Sequence, residues 1–236
     1  QIALYDEFRQ DWRSAVNNYR IAYDQLTASL SQFPGPRRVE AKTIAEYMMY
    51  KISSLLLITM VSSQADDNRN EAIRQFRSHV RTYKSDATPS EVEFEHWAWL
   101  ARQYRVFGEL LEQAGSPDSR DRWIWPGLYF HAAAKYSVKR RQAARQLCSP
   151  ELIEHQQSVP VASRGIRPRW AAFYGQFSEE VEYEIYKQLV VTEAGISHSE
   201  MLLEMLNRAY KQFKQRGCKR TMYFVVSEMA EEYYGR

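Results

Sequence analysis

Glu93, Glu95 and His96 fall within four positions and carry the groups that acid–base chemistry uses. Residues one or two apart on a helix point to different sides, however, and carboxylates in a first helical turn are favoured by the helix dipole. Capping and dipole stabilisation are therefore expected of this cluster, not catalysis. His198 and Ser199 place a base beside a nucleophile, but adjacent helix positions do not face one another and a third member is not evident. The histidines at 79, 96, 131, 155 and 198 include no i, i+4 pair. Phosphate-loop, dinucleotide, nucleophile-elbow and zincin patterns are all missing, and Cys148 and Cys218 lie too far apart in sequence to make a Cys-x-x-Cys pair. No catalytic residue, cofactor site or metal ligand is assigned, and the expectation is a protein that is not an enzyme and takes no cofactor.

Recognition chemistry has better candidates. Trp123 and Trp125, with Arg120 and Arg122 beside them, form a Trp/Arg cluster in an irregular stretch, and exposed Trp and Arg anchor protein interfaces. Lys139, Arg140, Arg141 and Arg145 form a basic run suited to phosphates of a membrane or nucleic acid, or to a solvated helix face. The run Trp97, Trp99, Tyr104 and Phe107 has the spacing of core, although a ligand box uses the same residue types.

These side chains must be carried by helices. The 236 residues hold 16 Tyr, 10 Phe and 6 Trp against 9 Gly and 8 Pro, too little glycine for the tight turns of a sandwich or a Rossmann-type sheet. Hydrophobic residues at 44% exclude wholesale disorder. Apolar positions step by three or four along most of the chain, predicting eight helices: about 12–30, 39–61, 72–83, 90–114, 127–147, 179–193, 197–217 and 220–234. Residues 31–38 and 62–68 read as breaks, Ser90/Glu93 and Ser197/Glu200 as capping boxes, and Gly115 and Gly217 as helix ends. An irregular insert spans about 148–178, and loops of that size are usually functional or pinned by their own contacts. The most apolar stretch, 52–61, is far short of the roughly 20 residues of a membrane helix. The chain opens on Gln1, which suggests an internal piece of a longer protein, and its two cysteines read as free thiols of a reducing compartment.

An Ala-x-x-x-aromatic pattern recurs at Ala15/Tyr19, Ala72/Phe76, Ala132/Tyr136 and Ala209/Phe213. A small residue one turn from a ring lets neighbouring helices approach while the ring fills the gap. The fold class expected is all-α, a single domain over 1–236 built as an irregular α-solenoid of antiparallel helix pairs, tetratricopeptide-like. Net charge is only +3, which makes no case for nucleic acid. Locally the chain is polarised, net +7 over 119–170 and net −6 over 179–204, an asymmetry suited to charged partners or to pairing within the fold.

Several segments, in order, resemble the foie gras domain family of subunit 11 of the transport protein particle (TRAPP) complex. They include EVEFEHWAWLARQYRVFGELL (91–111), with Phe94, Glu95, His96, Trp99, Gln103, Phe107 and Gly108 in pattern, and HSEMLLEMLNRAYKQFKQRGC (198–218), followed by MAEEYY (229–234). EAKTIAEYMMYKI (40–52), AIRQFRSHV (72–80), PGLYFHAAAKY (126–136) and FYGQ (173–176) add weaker agreement, whereas 116–125 departs from the family pattern. The resemblance implies a helical-repeat scaffold of a TRAPP III-type assembly, a tether and nucleotide-exchange factor for a Rab-type GTPase in ER–Golgi transport and autophagy. Its exchange site is built by other, smaller subunits. Implied partners are other TRAPP subunits, with an indirect link to the GTPase and peripheral membrane contact. The implied location is cytoplasmic, at Golgi and ER–Golgi membranes. Two other readings stand beside it: a peptide-binding repeat module using an aromatic/Arg groove, and a helical enzyme with an unrecognised site.

Overall fold

The computed structural model describes residues 1–33, 35–59, 65–84, 93–115, 122–147 and 178–235. Among these, every regular element is helical: α1 (Ile2–Phe8), α2 (Trp12–Ala28), α3 (Gly35–Ser54), α4 (Ala65–Lys84), α5 (Glu93–Gln113), α6 (Pro126–Leu147), α7 (Glu179–Ala194), α8 (His198–Gln215) and α9 (Lys219–Tyr234). Short 3₁₀ turns precede α3 (Leu30–Gln32) and α6 (Arg122–Ile124), and α3 continues into a π turn, Leu55–Thr59. The insert at 148–177 and the expected cap at Ser90 lie outside the described residues.

All eight expected helices are present, and α1 is additional. It is tied down by polar contacts: Tyr19 Oη and Lys51 Nζ donate to the two oxygens of Glu7 at 2.5 and 2.8 Å, and Asn18 donates to Asp6 at 2.6 Å. Gln10, at φ 60°, turns the chain into α2, where Asp11 accepts from the Ser14 amide at 3.2 Å. Helix α3 starts at Gly35, earlier than expected, because a proline in the first helical turn removes an amide that needs no intrahelical partner. Part of the expected 62–68 turn is also helical: Asp66 and Asp67 occupy the first turn of α4, where the dipole favours them. Gly115 and Gly217 adopt φ 73° and 66°, as helix-ending residues should. Ser197 does precede α8, but its hydroxyl makes no cap bond; its ψ of 80° departs from the extended values capping residues favour.

Packing is mainly between successive helices, and the α5–α6 contact is the most extensive, followed by α6–α8. At the α5–α6 crossing a Cβ on Gly108 would meet Phe130 Cε1 at 3.0 Å and Tyr129 Cβ at 3.2 Å, so any larger residue would push these side chains aside. One large core joins α1–α5 to the first half of α6, a second joins α6, α8 and α9, and a small third joins α5, α6 and α7. In the Ala-x-x-x-aromatic pairs, both members are buried at Ala15/Tyr19, Ala72/Phe76 and Ala209/Phe213; Tyr136 is buried and Ala132 only partly.

Candidate functional site

Two members of the possible acid–base cluster are bonded within the fold. His96 is buried, and the Lys42 ammonium, which has only donors, bonds its Nδ1 at 3.1 Å. Glu93 accepts from Trp97 Nε1 at 3.2 Å within its own helix. Lys42 itself is 1% exposed and lies 4.3 Å from the centre of the Trp99 ring, while Trp99 Nε1 donates to Glu46 Oε2 at 3.0 Å. A second buried pair, Tyr23 Oη with His79 Nδ1 at 3.0 Å, also adjoins Trp99, with the His79 ring centre 5.5 Å from that of Trp99. Lys42 and His79 were not singled out by sequence reasoning, because their partners sit more than fifty positions away. Trp99 and Phe107 are buried, and Trp97 and Tyr104 pack partly buried against the same core, so the aromatic run is core as expected.

The two tryptophans of the candidate interface are not equivalent. Trp123 is 51% exposed, with the Arg77 guanidinium 4.0 Å from its ring centre. Its turn is held by Tyr129 Oη, which donates to the Trp123 carbonyl at 2.8 Å. Trp125 is half-buried against the α6–α8–α9 core, with Arg216 at 5.1 Å. Arg122 opens the 3₁₀ turn, and Arg120 lies outside the described residues.

The basic run on α6 is divided by the fold. Arg140 donates from Nε and Nη2 to the two oxygens of Glu193 at 2.7 and 2.8 Å, with the carboxylate side chain 5% exposed. Arg141 bonds Glu232 Oε1 at 2.5 Å, and Ser199 Oγ joins the same carboxylate. Lys139 is exposed beside Trp97, 4.5 Å from its ring centre, and Arg145 is exposed. Part of the charge polarity read from the sequence is thus resolved inside the fold, since Arg140 and Glu193 belong to the basic and acidic segments. His198 Nε2 lies 3.5 Å from Glu193. Burial and the neighbouring Arg140, Arg141 and Arg145 hold this imidazole below its ordinary value of 6.5, against the opposing pull of Glu193. Trp123 precedes α6 and Lys139–Arg145 lie in its second half, about 20 Å or more away by helix rise, so the candidates do not form one patch.

A pocket of about 360 Å³ opens between α5, α6 and α8, with Glu95, Arg102, Arg105, Arg140 and Glu204 on its walls. Arg102 is bonded to Glu46 and Arg140 to Glu193, so two of its three guanidinium groups are held by carboxylates on other helices. Among the described residues no group of three or more His, Cys, Asp or Glu could hold a metal ion, and no helix is long and apolar enough to cross a membrane.

Known proteins match nearly the whole chain. It is similar to trafficking protein particle complex subunit 11 of Gallus gallus, 32% identical over 249 aligned residues, and to the subunits of that name from Bos taurus and Homo sapiens, each 30% identical. Each match takes in 99% of this chain and 21% of the relative, so the chain spans about a fifth of their length. The family model described as "Foie gras liver health family 1" matches residues 37–236. By that match, which takes in most of its length, the chain belongs to the foie gras family.

Proposed function

We propose that this domain is a non-catalytic interaction scaffold of a TRAPP III-type tethering and Rab nucleotide-exchange assembly, working in ER–Golgi transport and autophagy from the cytoplasmic face of Golgi and ER–Golgi membranes. The observation that carries the reading is the 32% identity, over 99% of the chain, to a protein named as a subunit of the trafficking particle. Its partners are other TRAPP subunits, and its link to the GTPase is indirect. We further propose that the helices stack as an irregular, tetratricopeptide-like α-solenoid, which the predominance of packing between successive helices supports.

Trp123, together with Arg120 and Arg122, is the proposed docking point, because Trp123 is a large apolar side chain left half exposed next to a guanidinium. Membrane contact through the basic run has less to work with, since Arg140 and Arg141 are engaged by Glu193 and Glu232. Capture of the full-length protein with and without residues 1–236, scored for TRAPP core subunits, tests the scaffold role. Loss of at least one subunit on deletion is expected, and retention of all of them would refute it. A peptide-adaptor role predicts instead that Trp123→Ala abolishes binding of a free peptide while the complex stays assembled.

A further inference from the structure

Helices α3 and α5 approach each other far less closely than α5 and α6 do, and a cavity of about 500 Å³ opens between them. Phe76 of α4 stacks on Phe107 of α5, with ring centres 4.1 Å apart, and both line it. Met49, Val106 and Leu110 add apolar wall, and the half-exposed rings of Tyr47 and Tyr50 stand at its edge. The volume falls in the range of small-molecule pockets.

Two polar side chains on opposite walls line this cavity. Ser53 is 1% exposed and its hydroxyl has no hydrogen-bond partner, although a helical serine ordinarily returns that bond to the carbonyl one turn back. Gln103, from the opposite wall, is 7% exposed, and its side-chain amide makes no hydrogen bond among the described residues. A buried polar group without a partner is costly, so the Ser53 hydroxyl points to something that bonds it there, and the Gln103 amide across the cavity offers that molecule a second donor and acceptor. The charged groups in the lining, Glu46 and Arg102, neutralise each other through two bonds of 3.0 Å. An ionised ligand would lose its hydration without gaining a counter-charge.

We propose that the α3–α5 cavity binds an uncharged amphiphilic small molecule, with an aliphatic body against Met49, Phe76 and Phe107 and a hydroxyl or ester carbonyl bonded to Ser53 and Gln103. Both side chains donate and accept, so they suit either group. The site is independent of the proposed docking role and of Trp123.

The test is isothermal titration of the full-length protein with monolauroylglycerol, kept below its micelle concentration, and with laurate, which has the same chain and a charged head. One saturable site for the glyceride is expected, with laurate at least about tenfold weaker. Gln103→Leu, which keeps the volume, should weaken the glyceride about five- to tenfold, the loss of one hydrogen bond. Val106→Phe, at a partly exposed position, should fill the cavity and remove the site, with Ser53→Ala as a milder variant whose fold is checked by circular dichroism. No saturable site, equal affinity for laurate, or a site indifferent to both Gln103→Leu and Val106→Phe would overturn the proposal.

Discussion

Helix α6 is held in two different ways. Toward the N-terminal helices it joins a cluster of rings: Phe76 and Phe107 stack at 4.1 Å, and Tyr129 meets Phe107 at 5.0 Å and Phe76 at 5.7 Å. Toward the C-terminal helices its core is smaller, and polar straps supplement it: the ion pairs of Arg140 with Glu193 on α7 and Arg141 with Glu232 on α9, and a His131–Glu228 hydrogen bond to α9. Arg208 of α8 adds a longer strap to Glu109 and Glu112 of α5 at 2.6 and 2.7 Å, with its guanidinium 4.1 Å from the Phe130 ring centre. Ring packing depends on shape and is indifferent to ionic conditions. Buried ion pairs fix orientation, yet they leave a costly charge behind when one partner is lost. The same helix is therefore anchored by fit on one side and by charge on the other.

This contrast makes distinct claims about substitution. Phe107→Ala removes a buried ring from the stack and should lower unfolding free energy by about 3–5 kcal/mol, with an unchanged salt dependence of the urea midpoint. Arg140→Ala strands a carboxylate that is 5% exposed, so a loss of about 3 kcal/mol is expected. Arg140→Lys should recover only part of it, because an ammonium cannot reproduce the two-pronged contact. If both Arg140 variants match the parent in urea, the straps do not hold the C-terminal side.

Gly108→Ala tests the crossing itself. Alanine gains about 1 kcal/mol of helix propensity, yet its Cβ would sit 3.0 Å from buried Phe130, and a net loss of about 1–2 kcal/mol is expected by the same assay. The effect of pH is smaller and confined to the charged side. The folded imidazole of His198 is held below its unfolded value near 6.5, so the unfolded chain binds the extra proton first. Stability from this group is complete above pH 6.5 and declines as pH falls through that value; His198→Gln should flatten the melting temperature across that window. Glu7 acts lower: burial raises its carboxyl, but the bonds from Lys51 and Tyr19 outweigh this and hold it below 4.5. Its contribution is therefore present above pH 4.5 and lost in stronger acid. Trp123→Ala, in the exposed turn, should change stability by less than about 1 kcal/mol while weakening capture of partner subunits.

The ring-packed side was largely legible in the sequence, because Phe94, Trp97, Leu100, Tyr104, Phe107 and Leu111 recur at helical spacing within one segment. The strapped side was not. Arg140 and Glu193 are 53 positions apart and Arg141 and Glu232 are 91, so the sequence presents a basic run and an acidic run without their pairing. Helix α1 leaves no periodic signal in the sequence because seven residues hold too few turns to display a period, and its Ile2, Tyr5 and Phe8 are exposed. The start of α4 reads as a turn in the sequence because Asp and Asn favour turns, although the same residues suit a first helical turn. Of the candidate interface, Trp123 is exposed, whereas Trp125 is partly drawn into core contacts that composition alone does not reveal.

The scaffold role is tested most directly by quantitative mass spectrometry of the TRAPP subunits captured with the full-length protein in three forms: intact, lacking residues 1–236, and carrying Phe76→Ala with Phe107→Ala to collapse the ring-packed side. The result expected is loss of the same subunit or subunits from both altered forms, with the intact protein retaining them. Full subunit recovery in all three would contradict a docking role for this domain.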